Sequence, residues 1–208
     1  MTDHIGPKLF PQGGARRRRG EESTSLTLRQ CRAIIEGASR ASAAGSPFNR
    51  FITLLWERGG LAGADATAAT RAFVKLASDW MRSPGRRLRW AYVHEWGAKN
   101  GAHAHVLLHV PPELDSAFSH MPRRWGTSIL PGRYVAGVVK SIIIPGAHTP
   151  DDVSWDFYGR SLTARIHYML KAAPAEMEAE LGISEWGRSR WGQSSRVFGK
   201  RAGTWVEQ

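Results

Sequence analysis

Five residues have the types and spacing to do chemistry together: Glu95, His103, His105, Tyr168 and Lys171. His103 and His105 are separated only by Ala104 within a β-prone run, and alternate side chains of a strand share a face. Such a pair can clamp one metal ion through its imidazole nitrogens. The third ligand should come from the neighbouring strand. If the intervening hairpin loop has an odd number of residues, Glu95 lies opposite His105 and on its face. A strict two-residue Asn-Gly turn would instead turn Glu95 over and bring His94 in. Glu95 is the preferred ligand, because a hard carboxylate suits a divalent ion that must hold a phosphate oxygen. With eight histidines in 208 residues, a His-x-His pair arises by chance about 0.3 times, so the pair alone is a weak signal.

Tyr168 and Lys171 strengthen it. Leu162, Ile166, Met169, Leu170 and Ala173 form one stripe at helical spacing, which is the expected core face. Tyr168 and Lys171 neighbour each other at i, i+3 and point away from that stripe, whereas a core tyrosine would sit on it. A phosphodiester is anionic and repels nucleophiles, so a Lewis-acid metal on its oxygen is worth several kcal/mol. A phenol is mostly protonated at pH 7, and ionising it costs about 4 kcal/mol. A metal and the Lys171 ammonium would both favour the phenolate, which could then attack phosphorus to give a covalent phosphotyrosine. Arg165, one turn earlier, could touch DNA; a merely solvated side chain is the plainer alternative.

These residues need particular elements to position them. A helix is expected over 26–44, ended by Gly45-Ser-Pro47. The run 51–56 reads as a strand, and 66–82 as a helix closing at Pro84-Gly85. Two β-prone runs, 87–96 and 102–110, flank Ala98-Lys-Asn-Gly101, a hairpin signal. A short helix from Pro111-Pro112 reaches about Arg124, and a strand covers 134–144. A polar loop over 147–158 leads to a helix over 161–173, stopped by Pro174, with a further helical turn or two over 175–181. The expected fold class is α+β: an antiparallel sheet with a central hairpin flanked by helices, a ferredoxin- or RRM-like sandwich.

Three segments are expected: a basic, largely disordered arm over 1–46 with a candidate helix, a catalytic domain over 47–175, and a basic Trp/Arg-rich extension over 176–208. The formal net charge of +11 and a pI near 10.6 suit a phosphate-seeking surface. Arginines and nine tryptophans together fit single-stranded nucleic acid, although tryptophans also serve as packing residues. In the extension, Arg188, Arg190, Trp191, Arg196, Lys200 and Arg201 are candidate DNA contacts; an ordinary basic tail is the plain alternative. Cys31 is the one cysteine, which excludes an intramolecular disulfide and points to a reducing, cytoplasmic setting. No run approaches the roughly 18 apolar residues that span a bilayer, so no membrane partner is expected. No Gly-x4-Gly-Lys-Ser/Thr loop occurs, so a fused ATPase motor is not expected. His94, His109, His120 and His167 read as surface or packing histidines.

The motifs resemble those of the HUH endonucleases, named for two histidines flanking a hydrophobic residue. Phe51-Ile-Thr-Leu-Leu resembles the first strand motif of replication initiators, His103-Ala-His105 the metal motif, and Tyr168-Met-Leu-Lys171 the Tyr-x-x-Lys motif of single-tyrosine rolling-circle (Rep) initiators. The likeness runs from about Asn49 to Ala173. It implies Mg2+ or Mn2+ as cofactor and site-selective nicking and joining of single-stranded DNA through a 5′-phosphotyrosine, with a free 3′-hydroxyl. Ala104 is small for the middle position, and the family's usual companion helicase domain is missing, which would suit a small plasmid or phage initiator using a host helicase, or a transposase-like enzyme. A single-tyrosine transposase of the same superfamily, a non-catalytic nucleic-acid-binding protein and a purely hydrolytic metallonuclease are the competing readings.

Overall fold

In the computed structural model, which describes residues 25–147, 152–171, 173–181 and 197–205, five strands form one antiparallel sheet. They are β1 (Arg50–Leu54), β2 (Trp90–Gly97), β3 (Gly101–Leu108), β4 (Val139–Ile143) and β5 (Val197–Trp205), in the order β4-β1-β3-β2-β5. The β2–β3 hairpin is central, as expected, and β1 lies beside β3 rather than beside β2. The first four strands therefore follow the split β-α-β order of a ferredoxin-like sandwich. The helices are α1 (Leu28–Ala43), α2 (Gly63–Arg82), α3 (Asp115–Phe118), α4 (Met121–Ile129), α5 (Asp152–Met169) and α6 (Ala175–Leu181).

The two faces of the sheet carry separate cores. Ile52, Leu54, Ala104, Val106 and Leu108 bury one face against α2 and α4, through Phe73, Ala77, Met81 and Trp125. Phe51, Ala91, Val93 and Leu107 bury the other against α1, α5 and α6. Helix α1 begins in a capping box: the Thr27 hydroxyl accepts from the Gln30 amide, and the Gln30 side chain accepts from the Thr27 amide. Its Cys31, Ile34, Ala38 and Ala41 pack into that second core. On α5 the apolar stripe Leu162, Ile166, Met169 and Leu170 faces the same core, so the remaining flank is left to the site.

Several elements depart from expectation. Strand β4 begins at Val139, not Tyr134, because Gly137 adopts a left-handed backbone (φ 86°) that breaks the extended run. The single helix expected over 111–124 is a short 3-10 turn, Pro112–Leu114, followed by α3 and α4. Helix α5 starts at Asp152, inside the expected polar loop, and ends at Met169, with Leu170 and Lys171 in a turn ahead of Pro174. Strand β5 pairs with the outer edge of β2 within what reads as a tail. The Arg16–Arg19 run lies outside the described residues. Among the described residues no helix is long and apolar enough to cross a membrane.

Three buried side-chain bonds secure the end of the sheet where β1 begins and β3 ends. The Asn49 side chain donates to the Val110 carbonyl (2.7 Å) and accepts from its amide (2.8 Å), extending the β1–β3 ladder beyond its last backbone pair. The Tyr158 hydroxyl donates to the Phe48 carbonyl at 2.7 Å, and burial pushes its pKa above the ordinary phenol range. Asn49→Ala breaks both bonds of the first pair. At a net 0.5–1.5 kcal/mol per bond plus the desolvated groups left behind, it is expected to cost about 2–3 kcal/mol, read as a lower urea midpoint at unchanged slope.

Candidate functional site

The hairpin sets the geometry. Gly97 pairs with Gly101, leaving a three-residue loop over 98–100, so the loop is odd and Glu95 shares a face with both histidines. The register differs from expectation in one respect: Glu95 stands opposite His103, and Val93 stands opposite His105. The cause is local. Gly101 takes a left-handed backbone (φ 55°) as the first paired residue of β3, so the Asn-Gly step ends the loop instead of forming its two central positions. A side chain at Gly101 would also run into the Glu57 carboxylate, which accepts from the Ala102 amide at 2.6 Å and pins the start of β3. His94 is turned to the opposite face, where its ring meets Tyr92 edge-on.

Glu95, His103 and His105 are all buried, and one ligand atom from each lies within 4.8 Å of the others. The His103 Nε2 is 3.3 Å from the Glu95 Oε2. The outer nitrogens are held as well. His103 Nδ1 is 2.8 Å from the Gly101 carbonyl, and His105 Nδ1 is 3.2 Å from the Thr53 hydroxyl. A metal-ligating histidine uses its second nitrogen in this way, fixing the tautomer and the ring plane. Two imidazoles and a carboxylate on a rigid hairpin, with both rings backed by such a contact, are a donor set able to hold a divalent ion.

Helix α5 and the turn that ends it bring in the other pair. The Tyr168 ring stands edge-on to the His105 ring (centroids 4.9 Å apart) and to the Phe51 ring (6.3 Å). Lys171 Nζ is 2.8 Å from Glu95 Oε2 and 4.2 Å from the centre of the Tyr168 ring. Burial would lower the Lys171 pKa, but the Glu95 carboxylate and Tyr168 outweigh it, and the net direction is upward. Lys171 is therefore a fixed ammonium, bound to the carboxylate and set against the phenol.

An open cleft of about 290 Å3 reaches this cluster, with Phe51, Thr53, His105, Arg165 and Tyr168 along it and Lys140 at its side. The Arg165 guanidinium lies over the Phe51 ring at 5.4 Å, and its buried Nε has no hydrogen-bond partner among the described residues. Arg165 thus lines the same cleft as Tyr168. Lys200 and Arg201 lie on β5, at an edge of the sheet, while Arg188, Arg190, Trp191 and Arg196 lie outside the described residues. His109 is engaged elsewhere, its Nδ1 2.7 Å from the Pro47 carbonyl. Sequence reasoning missed Thr53 and the stacking of Phe51 on His105 (5.2 Å, 10° between planes). Their i, i+2 spacing on one strand was visible, but the adjacency of β1 and β3 was not.

An antiparallel sheet that carries a His-x-His pair and a glutamate on its central hairpin, covered by a helix leading into Tyr-x-x-Lys, is consistent with the HUH motif of rolling-circle Rep-like proteins. Residues 49–142 match the model of the family described as Replication-associated protein ORF2, which is what this stretch of the chain is similar to. The match spans β1 to nearly the end of β4, including Glu95, His103 and His105, and stops before Tyr168. No curated protein and no solved structure matches the chain.

Proposed function

We propose that this protein nicks and rejoins single-stranded DNA through a covalent 5′-phosphotyrosine at Tyr168, as an HUH-type initiator of rolling-circle replication of a small plasmid or phage. The observation that carries the proposal is the convergence of two independent elements. The Tyr-x-x-Lys pair at the end of α5 meets the Glu/His cluster of the hairpin, with Lys171 touching both Glu95 and Tyr168.

Glu95, His103 and His105 would hold Mg2+ or Mn2+, which supplies Lewis-acid polarisation of the scissile phosphate. The Tyr168 hydroxyl attacks phosphorus, forming the Tyr168 O–P bond as the P–O3′ bond breaks. The phenol proton is given up to solvent and the departing 3′-oxygen leaves as a hydroxyl. Lys171, already an ammonium, cannot take that proton; it lowers the energy of the phenolate and holds the ring against Glu95. Arg165 offers its guanidinium to the phosphate in the cleft. Attack of a 3′-hydroxyl on the phosphotyrosine reverses the step, which makes joining as accessible as cleavage. Arg188, Arg190, Trp191, Arg196, Lys200 and Arg201 would help to hold DNA, and a host helicase would unwind it.

The test is a pool of end-labelled single strands, including DNA flanking the gene, incubated with the protein and Mn2+ and run on a denaturing gel. A protein-linked DNA band that disappears with EDTA is expected. Retention of DNA with no cleavage, unchanged by EDTA, would instead describe a binding protein.

A further inference from the structure

The sheet face turned away from His103 and His105 carries a second groove, about 570 Å3, between α2 and the segment that leads into β2. None of Glu95, His103, His105 or Tyr168 lines it. Arg71, Lys75 and Arg82 stand on one side of α2 at i, i+4 and i+11, an exposed cationic stripe about 16 Å long at 1.5 Å per residue. Arg86 and Arg87, also exposed, face it from the far wall. Asp79 and Glu113 engage three of these five cations: Lys75, Arg82 and Arg86. No ion pair of Arg71 occurs among the described residues. The groove is thus strongly positive, with no acidic residue in its lining.

Its floor is flat. Trp90 and Tyr92, at i, i+2 on β2, project from the same face, with rings stacked at 5.4 Å and 16° between planes, both partly exposed. A cationic wall over a partly open aromatic floor is the combination that takes a single strand: phosphates along the arginines, bases on the rings. Duplex DNA offers the phosphates but keeps its base faces stacked inside, so the floor distinguishes the two. We infer that this groove is a second binding site for single-stranded DNA, separate from the Tyr168 cleft and able to retain a strand on the far side of the sheet. The inference rests on the DNA partner of the proposed function but not on its chemistry.

The experiment uses the full chain with Tyr168→Phe, in EDTA, so that retention is measured without cleavage; covalent-band formation by the chain with Tyr168 intact is a separate readout. Anisotropy of a fluorescein-labelled oligothymidylate is followed against salt. Arg71→Glu with Arg86→Glu, both exposed positions, should weaken binding about tenfold or more and reduce the slope of log K on log salt by about 1.4, two phosphates at 0.7 each. Trp90→Leu keeps an apolar side chain in place. It should weaken oligothymidylate binding about tenfold, within the range for one lost stacking contact, and leave duplex binding unchanged. Unchanged affinity and slope in the double variant would overturn the site. An equal loss for duplex in Trp90→Leu would overturn its assignment to single strands.

Discussion

Tyr168→Phe is expected to abolish the covalent protein–DNA band while leaving DNA affinity within a few-fold of the native protein. The substitution removes one oxygen atom. The ring keeps its edge-on contacts with His105 and Phe51, so the packing of α5 on the sheet and the walls of the cleft should stay as they are. What disappears is the proposed nucleophile, and a covalent path cannot run without it, so cleavage should fall by at least about 1,000-fold. Ionising a phenol at pH 7 costs about 4 kcal/mol, and Lys171 is the one ammonium set against this ring among the described residues. Melting temperature and anisotropy confirm that the variant is folded and binds, and the denaturing gel reads the loss. Metal-dependent cleavage that survives Tyr168→Phe would replace the covalent mechanism with direct hydrolysis by water.

The fate of individual residues shows where sequence reasoning was sufficient. Alternation along β3 put His103 and His105 on one face without knowledge of any partner strand, because the period of two is a property of the strand alone. The helical stripe ending in Met169 and Leu170 similarly predicted that Tyr168 would flank the core rather than join it. Pairings between elements were harder to read. The Glu95–His103 register depends on where Gly101 leaves the extended region, a choice between loop conformations that hydrophobic pattern does not distinguish. Thr53 reaches His105 only because β1 docks beside β3, 52 residues away in the chain, and β5 joins β2 across 100 residues or more. Such contacts follow from the topology of the whole sheet. The early start of α5 is a milder case: Val153, Trp155 and Phe157 sit among polar residues that read as loop, and α5 extends through all of them.

Calorimetric titration with Mn2+ should find one ion per chain, and His103→Ala or His105→Ala should weaken it by at least about 100-fold, beyond the 10–100-fold typical of losing an outer partner. Thr53→Val, which removes such an outer partner of His105, should fall inside that range. A readout independent of cleavage comes from melting. The native chain should gain about 2.7 kcal/mol at a hundredfold excess of metal over its Kd, and the histidine variants almost none at the same concentration. Unchanged Mn2+ affinity in His103→Ala would place the ion elsewhere. The charges of the cluster make the expectation specific. Glu95 and Lys171 offset one another, and the further cations lining the cleft with Tyr168 and His105 are Lys140 and Arg165. The proposed attack brings together a phosphodiester and a developing phenolate, two negative charges at one phosphorus, and a divalent ion held by the Glu/His cluster would offset them directly. The histidine variants should therefore still bind single strands through the basic surface yet form no covalent band, a separation of binding from chemistry that a purely structural role for the His-x-His pair would not produce.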